Sequence, residues 1–142
     1  MENKFAILWP TFALAAWTLC VLLLVATRRL HASLSGKVHP REFALGESQR
    51  VPIEISLLNR NYMNLLELPV LFYVACVVSF VTGAASPAIV CLAWLYVFLR
   101  VVHSLVHITY NRIIHRFVVF AASNVVLIAI WVVLGRTLAG AA

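Results

Sequence analysis

Residues 55–81 read ISLLNRNYMNLLELPVLFYVACVVSFV, a stretch as long and apolar as a membrane span that nevertheless carries Arg60, Asn64 and Glu67. These three are spaced i, i+4, i+7. At about 100° per residue they fall on one stripe of a helix, while Leu65, Leu66, Leu68 and Val70 cover the other faces. A charged side chain at mid-bilayer costs at least about 2.5–3.5 kcal/mol on insertion scales. Lipid cannot satisfy the stripe, so it must face protein or a water-filled cleft. Pro69 removes a backbone donor and is expected to kink the helix just after Glu67.

Three further stretches match this one in length and polarity. Spanning the hydrocarbon takes roughly 20 mostly apolar residues, and spans are expected at about 5–27, 55–81, 88–110 and 117–138. The chain is 63% hydrophobic and 11% charged, against roughly 45–50% and about 25% in soluble domains. A soluble fold of 142 residues could not hide that much apolar surface. The expected fold is therefore all-α, a single domain over residues 1–142 built as an integral membrane four-helix bundle. The first span is not read as a signal peptide, because Arg28 and Arg29 follow the apolar run instead of preceding it.

Thr82-Gly83-Ala84-Ala85-Ser86-Pro87 joins the second and third spans as a tight turn, with Pro87 suited to a helix start. These two spans form an antiparallel hairpin. The polar segment 28–54 is a long loop between the first and second spans. The first and third loops carry Arg28, Arg29, Lys37, Arg41, Arg50, Arg112 and Arg116, whereas the opposite side has Lys4 and Arg136. By the positive-inside rule those loops are cytoplasmic and both termini lie outside. The net charge of +6 thus reads as topology, and no nucleic-acid partner is expected. Cys20, Cys76 and Cys91 lie in apolar stretches without metal spacing and read as packing residues.

The third span has its own polar stripe: Arg100, His103 and His107 at i, i+3, i+7, extended by Asn111, with Ser104 beside it. Pairing between the two stripes, Arg100 with Glu67 included, is geometrically natural within the hairpin or between subunits. Ser123 and Asn124 are the strongly polar residues in the middle of the fourth span. Two readings stay open on spacing alone. Either the stripes bind a ligand, or they are buried ion pairs and hydrogen-bond glue that fix helix register. His103 and His107 resemble one half of a metal site. No third ligand of metal type is placed to complete it, and no metal is expected. Tyr96 and Tyr110 read as interfacial belt residues.

Arg60-x-x-x-Asn64-x-x-Glu67 at the start of a second membrane helix resembles the signature of the membrane-associated proteins in eicosanoid and glutathione metabolism, the MAPEG family. Pro69 and Phe72 fit its bacterial members, and Arg100-Val101-Val102-His103-Ser104 through His107, Thr109, Tyr110 and Asn111 looks like the bacterial pattern of the third helix. The resemblance implies a homotrimer in a bacterial inner membrane, with each site between adjacent subunits near the cytoplasmic face. It implies glutathione as substrate or ligand, held by Arg60, Asn64 and Glu67. Arg100, His103 and His107 are further candidates for substrate binding. Glutathione carries two carboxylates and one ammonium, so arginines with one glutamate are complementary to it. The implied activity is that of a glutathione transferase or peroxidase acting on a lipophilic small molecule.

The eukaryotic conjugating enzymes of the family activate the thiol with an arginine beyond a tyrosine-rich stretch of the third helix. Here His103 and His107 stand in that stretch. Arg112 and Arg116 are both candidates for the thiolate-stabilising role, and Arg112 is the first choice as catalytic residue. The alternative is a non-catalytic membrane module that binds a lipid or a partner protein, as other family members do.

Overall fold

The computed structural model describes residues 4–43 and 50–140, and among these every regular element is helical. A 3₁₀ turn at Lys4–Ile7 leads into α1 (Leu8–Leu34), and a second 3₁₀ turn at Pro40–Phe43 precedes α2 (Ile53–Leu66). Then follow α3 (Pro69–Val81), α4 (Pro87–Ile108) and α5 (Ile113–Ala139). With α2 and α3 taken as one broken helix, the described residues form four helical segments long and apolar enough to cross a membrane. The chain is a multi-pass integral membrane protein.

The first helix runs on to Leu34, past the expected end at residue 27. Its 27 residues span about 40 Å, against about 30 Å of hydrocarbon. Its last turns, with Arg28, Arg29 and His31, therefore extend beyond the apolar layer. Helix-compatible residues carry the backbone ladder onward until Gly36, at φ 70°, turns the chain. There the amides of Lys37 and Val38 both close on the Ala32 carbonyl, at 3.1 and 3.2 Å. Of the expected 28–54 loop, Ala32, Val38 and Val51 form a small apolar cluster with Ile55 of α2, and Phe43 packs against it. Residues 44–49, including Gly46 and Glu47, lie outside the described residues.

The second span is interrupted where Pro69 predicts. α2 ends at Leu66, Glu67 takes φ −79° and ψ −93°, and Pro69 becomes the first residue of α3. A proline inside a continuous helix lacks the N–H for its ladder bond, and its ring collides with the carbonyl four residues earlier. The bend at Glu67 avoids both. The turn into α4 uses Gly83 at φ 71°, and Ser86 caps α4 by accepting from the Ile89 amide at 3.4 Å. Pro87 sits in the first turn, where no amide donor is needed.

α4 is the central helix and packs against α1, α2 and α5. That position explains why Arg100, His103, Ser104 and His107 are all buried: their stripe faces other helices. Tyr96 lies on the same stripe. It is fully buried and stacked on Phe72 with ring centroids 4.7 Å apart, so it is a core residue and not a belt residue. Phe98, Val125, Ile128 and Val132 point outward, as a lipid-facing surface requires. The hydroxyls of Thr18 and Ser79 are satisfied within their own helices. Thr18 donates to the Leu14 carbonyl at 2.9 Å and Ser79 to the Ala75 carbonyl at 2.8 Å.

Candidate functional site

The two polar stripes meet through direct hydrogen bonds. Asn61, fully buried on α2, donates from Nδ2 to Ser104 Oγ on α4 at 2.6 Å. One turn further on, Arg100 donates from a terminal guanidinium nitrogen to the backbone carbonyl of Asn64. Asn61 was not among the residues singled out in the sequence. Its i, i+3 relation to Asn64 was the available signal.

Beside this seam α2, α4 and α5 enclose a cleft of about 420 Å³, within the range of small-molecule sites. α2 supplies Arg60, Met63 and Asn64, and the bend adds Glu67. α4 adds His103 and His107, and α5 adds Ile113, Arg116, Phe117 and Phe120. The bend matters for this composition, because Glu67 sits where the α2 ladder stops. The cleft lies toward the end of the bundle that carries the turn between α4 and α5.

That turn builds the far wall. Asn111 takes φ 45°, a left-handed conformation that asparagine tolerates, and its amide closes on the Val106 carbonyl at 2.9 Å. Arg116 then reaches back from α5. Its Nη1 donates to Asn111 Oδ1 at 2.9 Å and lies 3.2 Å from His107 Nε2. Its carbonyl accepts from His103 Nδ1 at 3.1 Å. A carbonyl only accepts and a guanidinium only donates. His103 therefore carries a proton on Nδ1, and His107 presents an unprotonated Nε2 to Arg116. The remaining ring nitrogens, His103 Nε2 and His107 Nδ1, are buried without a protein partner.

Arg60, Asn64, Glu67, His103 and His107 are thus brought to one cleft. Arg100 is not in its lining. It is fully buried behind Asn64, with its guanidinium carbon 5.7 Å from the Phe120 ring centroid. Arg100, for which pairing with Glu67 was anticipated, bonds the Asn64 backbone. Arg112 is exposed at the N-cap of α5, also outside the cleft lining. Arg116, the other candidate of that pair, occupies the cleft wall. Phe120 shares its helix face at i+4 and Phe117 lies beside it, a placement readable only once the start of α5 is fixed at Ile113.

Beyond the bend a second, apolar groove of about 440 Å³ runs between α3 and α5, lined by Leu68, Leu71, Asn124, Leu127, Ile128, Trp131 and Val132. Asn124 is its strongly polar member, with Oδ1 buried and unpartnered. Ser123 is turned away and bonds the Phe120 carbonyl at 2.7 Å. His103 and His107 stand with ring centroids 6.0 Å apart. Among the described residues no three His, Cys, Asp or Glu side chains converge.

The cleft can take a ligand with more anionic than cationic groups. Arg60 and Arg116 present two fixed cations, Glu67 one carboxylate, and the phenylalanines and Met63 an apolar side. Among known protein families, the model of the MAPEG family matches residues 7–136 of the chain. No curated protein and no solved structure matches it.

Proposed function

The chain belongs to the MAPEG family, and from that membership and the charge pattern of the cleft we propose that it binds glutathione and acts as a membrane glutathione transferase or peroxidase. The observation that carries the proposal is the convergence of Arg60, Asn64, Glu67 and Arg116 on one cleft of about 420 Å³. Arginine guanidinium groups match carboxylates in geometry as well as charge. In this reading Arg60 and Arg116 take the two carboxylate ends or one end and the thiolate. Glu67 takes the ammonium, and the Asn64 amide bonds the peptide backbone. His103 and His107 add their ring edges to the wall of the same cleft.

For the thiolate-stabilising role Arg116 is preferred to Arg112, because Arg116 lines the cleft and Arg112 does not. A cation beside the sulfur favours thiolate over thiol. The thiolate then attacks an electrophilic carbon and expels its leaving group, or takes a hydroperoxide's terminal oxygen and releases an alcohol. The lipophilic reactant arrives sideways from the bilayer, and the apolar groove between α3 and α5 adjoins the cleft across the bend. The proposal includes a homotrimer with each site shared between neighbours. It also places the 28–54 loop and the α4–α5 turn on the cytoplasmic side of a bacterial inner membrane, with both termini outside.

One observation favours a second reading. The Arg116 guanidinium is already engaged by His107 and Asn111, as in a register-fixing network. In that case the protein binds a lipid or a partner without catalysis. Purified protein assayed with a chloronitrobenzene electrophile and with a lipid hydroperoxide separates the two. A glutathione-dependent rate with either compound supports the enzyme. Saturable thermal stabilisation by glutathione, lost in Arg60→Ala, supports the binding site alone. The absence of both effects removes glutathione from the proposal.

A further inference from the structure

The notable feature of the bend is what happens to the backbone carbonyl just before it. In an uninterrupted helix the Asn64 carbonyl would accept from the amide of Leu68, four residues on. Here the chain turns at Glu67 instead. The next backbone bonds are the tighter ones from Val70 to the Glu67 carbonyl at 3.2 Å and from Leu71 to the Leu68 carbonyl at 3.0 Å. The Asn64 carbonyl is taken by Arg100, a residue 36 positions away on α4. A backbone acceptor left unsatisfied in hydrocarbon is costly, and so is a cation without a partner. The carbonyl gains a donor and one guanidinium nitrogen gains an acceptor, while Arg100 Nε and Nη1 stay buried without a hydrogen-bond partner. The Phe120 ring beside the guanidinium adds a cation–π contact.

We propose that Arg100 is a positioning residue, whose guanidinium replaces the helical donor at the Asn64 carbonyl and so fixes the bend that presents Asn64 and Glu67 to the cleft. Arg100 itself is fully buried and reaches the site through this carbonyl and the back of the Phe120 ring. Sequence pattern pointed to a ligand-binding arginine on the third span. The geometry points to a backbone clamp. The part of this inference that concerns ligand affinity rests on the proposed glutathione site; the clamp itself does not.

The Asn64–Leu65 peptide is the sole Asn-Leu pair in the chain. Labelling with carbonyl-¹³C asparagine and ¹⁵N leucine therefore isolates the Asn64 carbonyl resonance in solid-state NMR of the protein in lipid. With guanidinium-¹⁵N arginine added, a hydrogen bond brings that carbon and an arginine nitrogen to about 4 Å. The contact is expected in the parent protein and is expected to persist when glutathione is saturating. Its absence, or its loss on adding glutathione, overturns the clamp, since a ligand-binding arginine would leave the carbonyl for a carboxylate.

Arg100→Met should move the Asn64 resonance upfield and weaken glutathione binding by about tenfold, the value of one charge-assisted hydrogen bond. Arg100→Lys, which keeps a charged donor, should restore most of the resonance position and stay within about threefold of the parent affinity. Unchanged affinity in Arg100→Met overturns the positioning role. If Arg100→Met does not fold, the parent contact and the lysine variant decide the matter. If the parent binds no glutathione, the function proposed above fails, and the carbonyl resonance alone still tests the clamp.

Discussion

Removing the Ser104 hydroxyl should destabilise the bundle more than removing both partners of its hydrogen bond. Ser104 and Asn61 are each 0% exposed, and Asn61 Nδ2 to Ser104 Oγ is 2.6 Å. Asn61 Oδ1 already has no partner. In Ser104→Ala the whole Asn61 amide is stranded between helices, and an unsatisfied buried group costs about 1–3 kcal/mol. In the double variant Asn61→Leu/Ser104→Ala nothing polar is stranded, and the exchange approaches neutrality apart from packing. Asn61→Leu alone leaves a serine that can bond back to its own helix backbone. The expected order of stability is parent, then the double variant, then Ser104→Ala, with a coupling energy of about 0.6–1.7 kcal/mol as for other interhelical bonds in membranes. Reversible unfolding in mixed micelles, followed by circular dichroism and tryptophan fluorescence, measures all four corners of the cycle. Additive single effects, or a double variant less stable than Ser104→Ala, would refute the view that this bond holds α2 to α4.

Other substitutions probe separate parts of the molecule. Arg116→Met should cut glutathione-dependent turnover by about tenfold or more through loss of the charged donor, whereas Arg112→Met should stay within about twofold; equal losses would return Arg112 to the site. Tyr96→Phe removes a buried hydroxyl without a partner and keeps the stack on Phe72. Thermal stability should be unchanged or rise by up to about 1 kcal/mol, and a clear loss would mean the hydroxyl has a partner in the membrane. Gly83→Ala places a side chain at φ 71° with open space around it. It should cost about 1 kcal/mol from backbone strain alone, read as a lowered unfolding midpoint.

The architecture was legible because lipid enforces it. Four runs of apolar residues, a Gly-Ser-Pro turn and a proline after Glu67 led directly to the helices and the break. The ends of the helices were less visible. α1 continues through Arg28 and Arg29 because charged residues beyond the hydrocarbon are good helix formers, and composition alone marks them as loop. The site was half legible. Spacing placed Arg60, Asn64, Glu67, His103 and His107 on faces that meet. Spacing cannot show that the bend turns the Asn64 carbonyl toward α4, so the destination of Arg100 was hidden. Nor does it set the rotation of α5, which decides between Arg112 at the helix cap and Arg116 in the wall. Tyr96 was misplaced for a related reason: a belt residue and a core residue look alike until the central helix is known.

The most direct test of the cleft as a glutathione site is a density map of the purified protein in lipid with glutathione added at saturating concentration. Density for the tripeptide should touch Arg60, Glu67 and Arg116, with its sulfur on the side facing Phe117 and Phe120. A map in which these side chains contact only one another or lipid, with no tripeptide in the cleft, would contradict the proposed function.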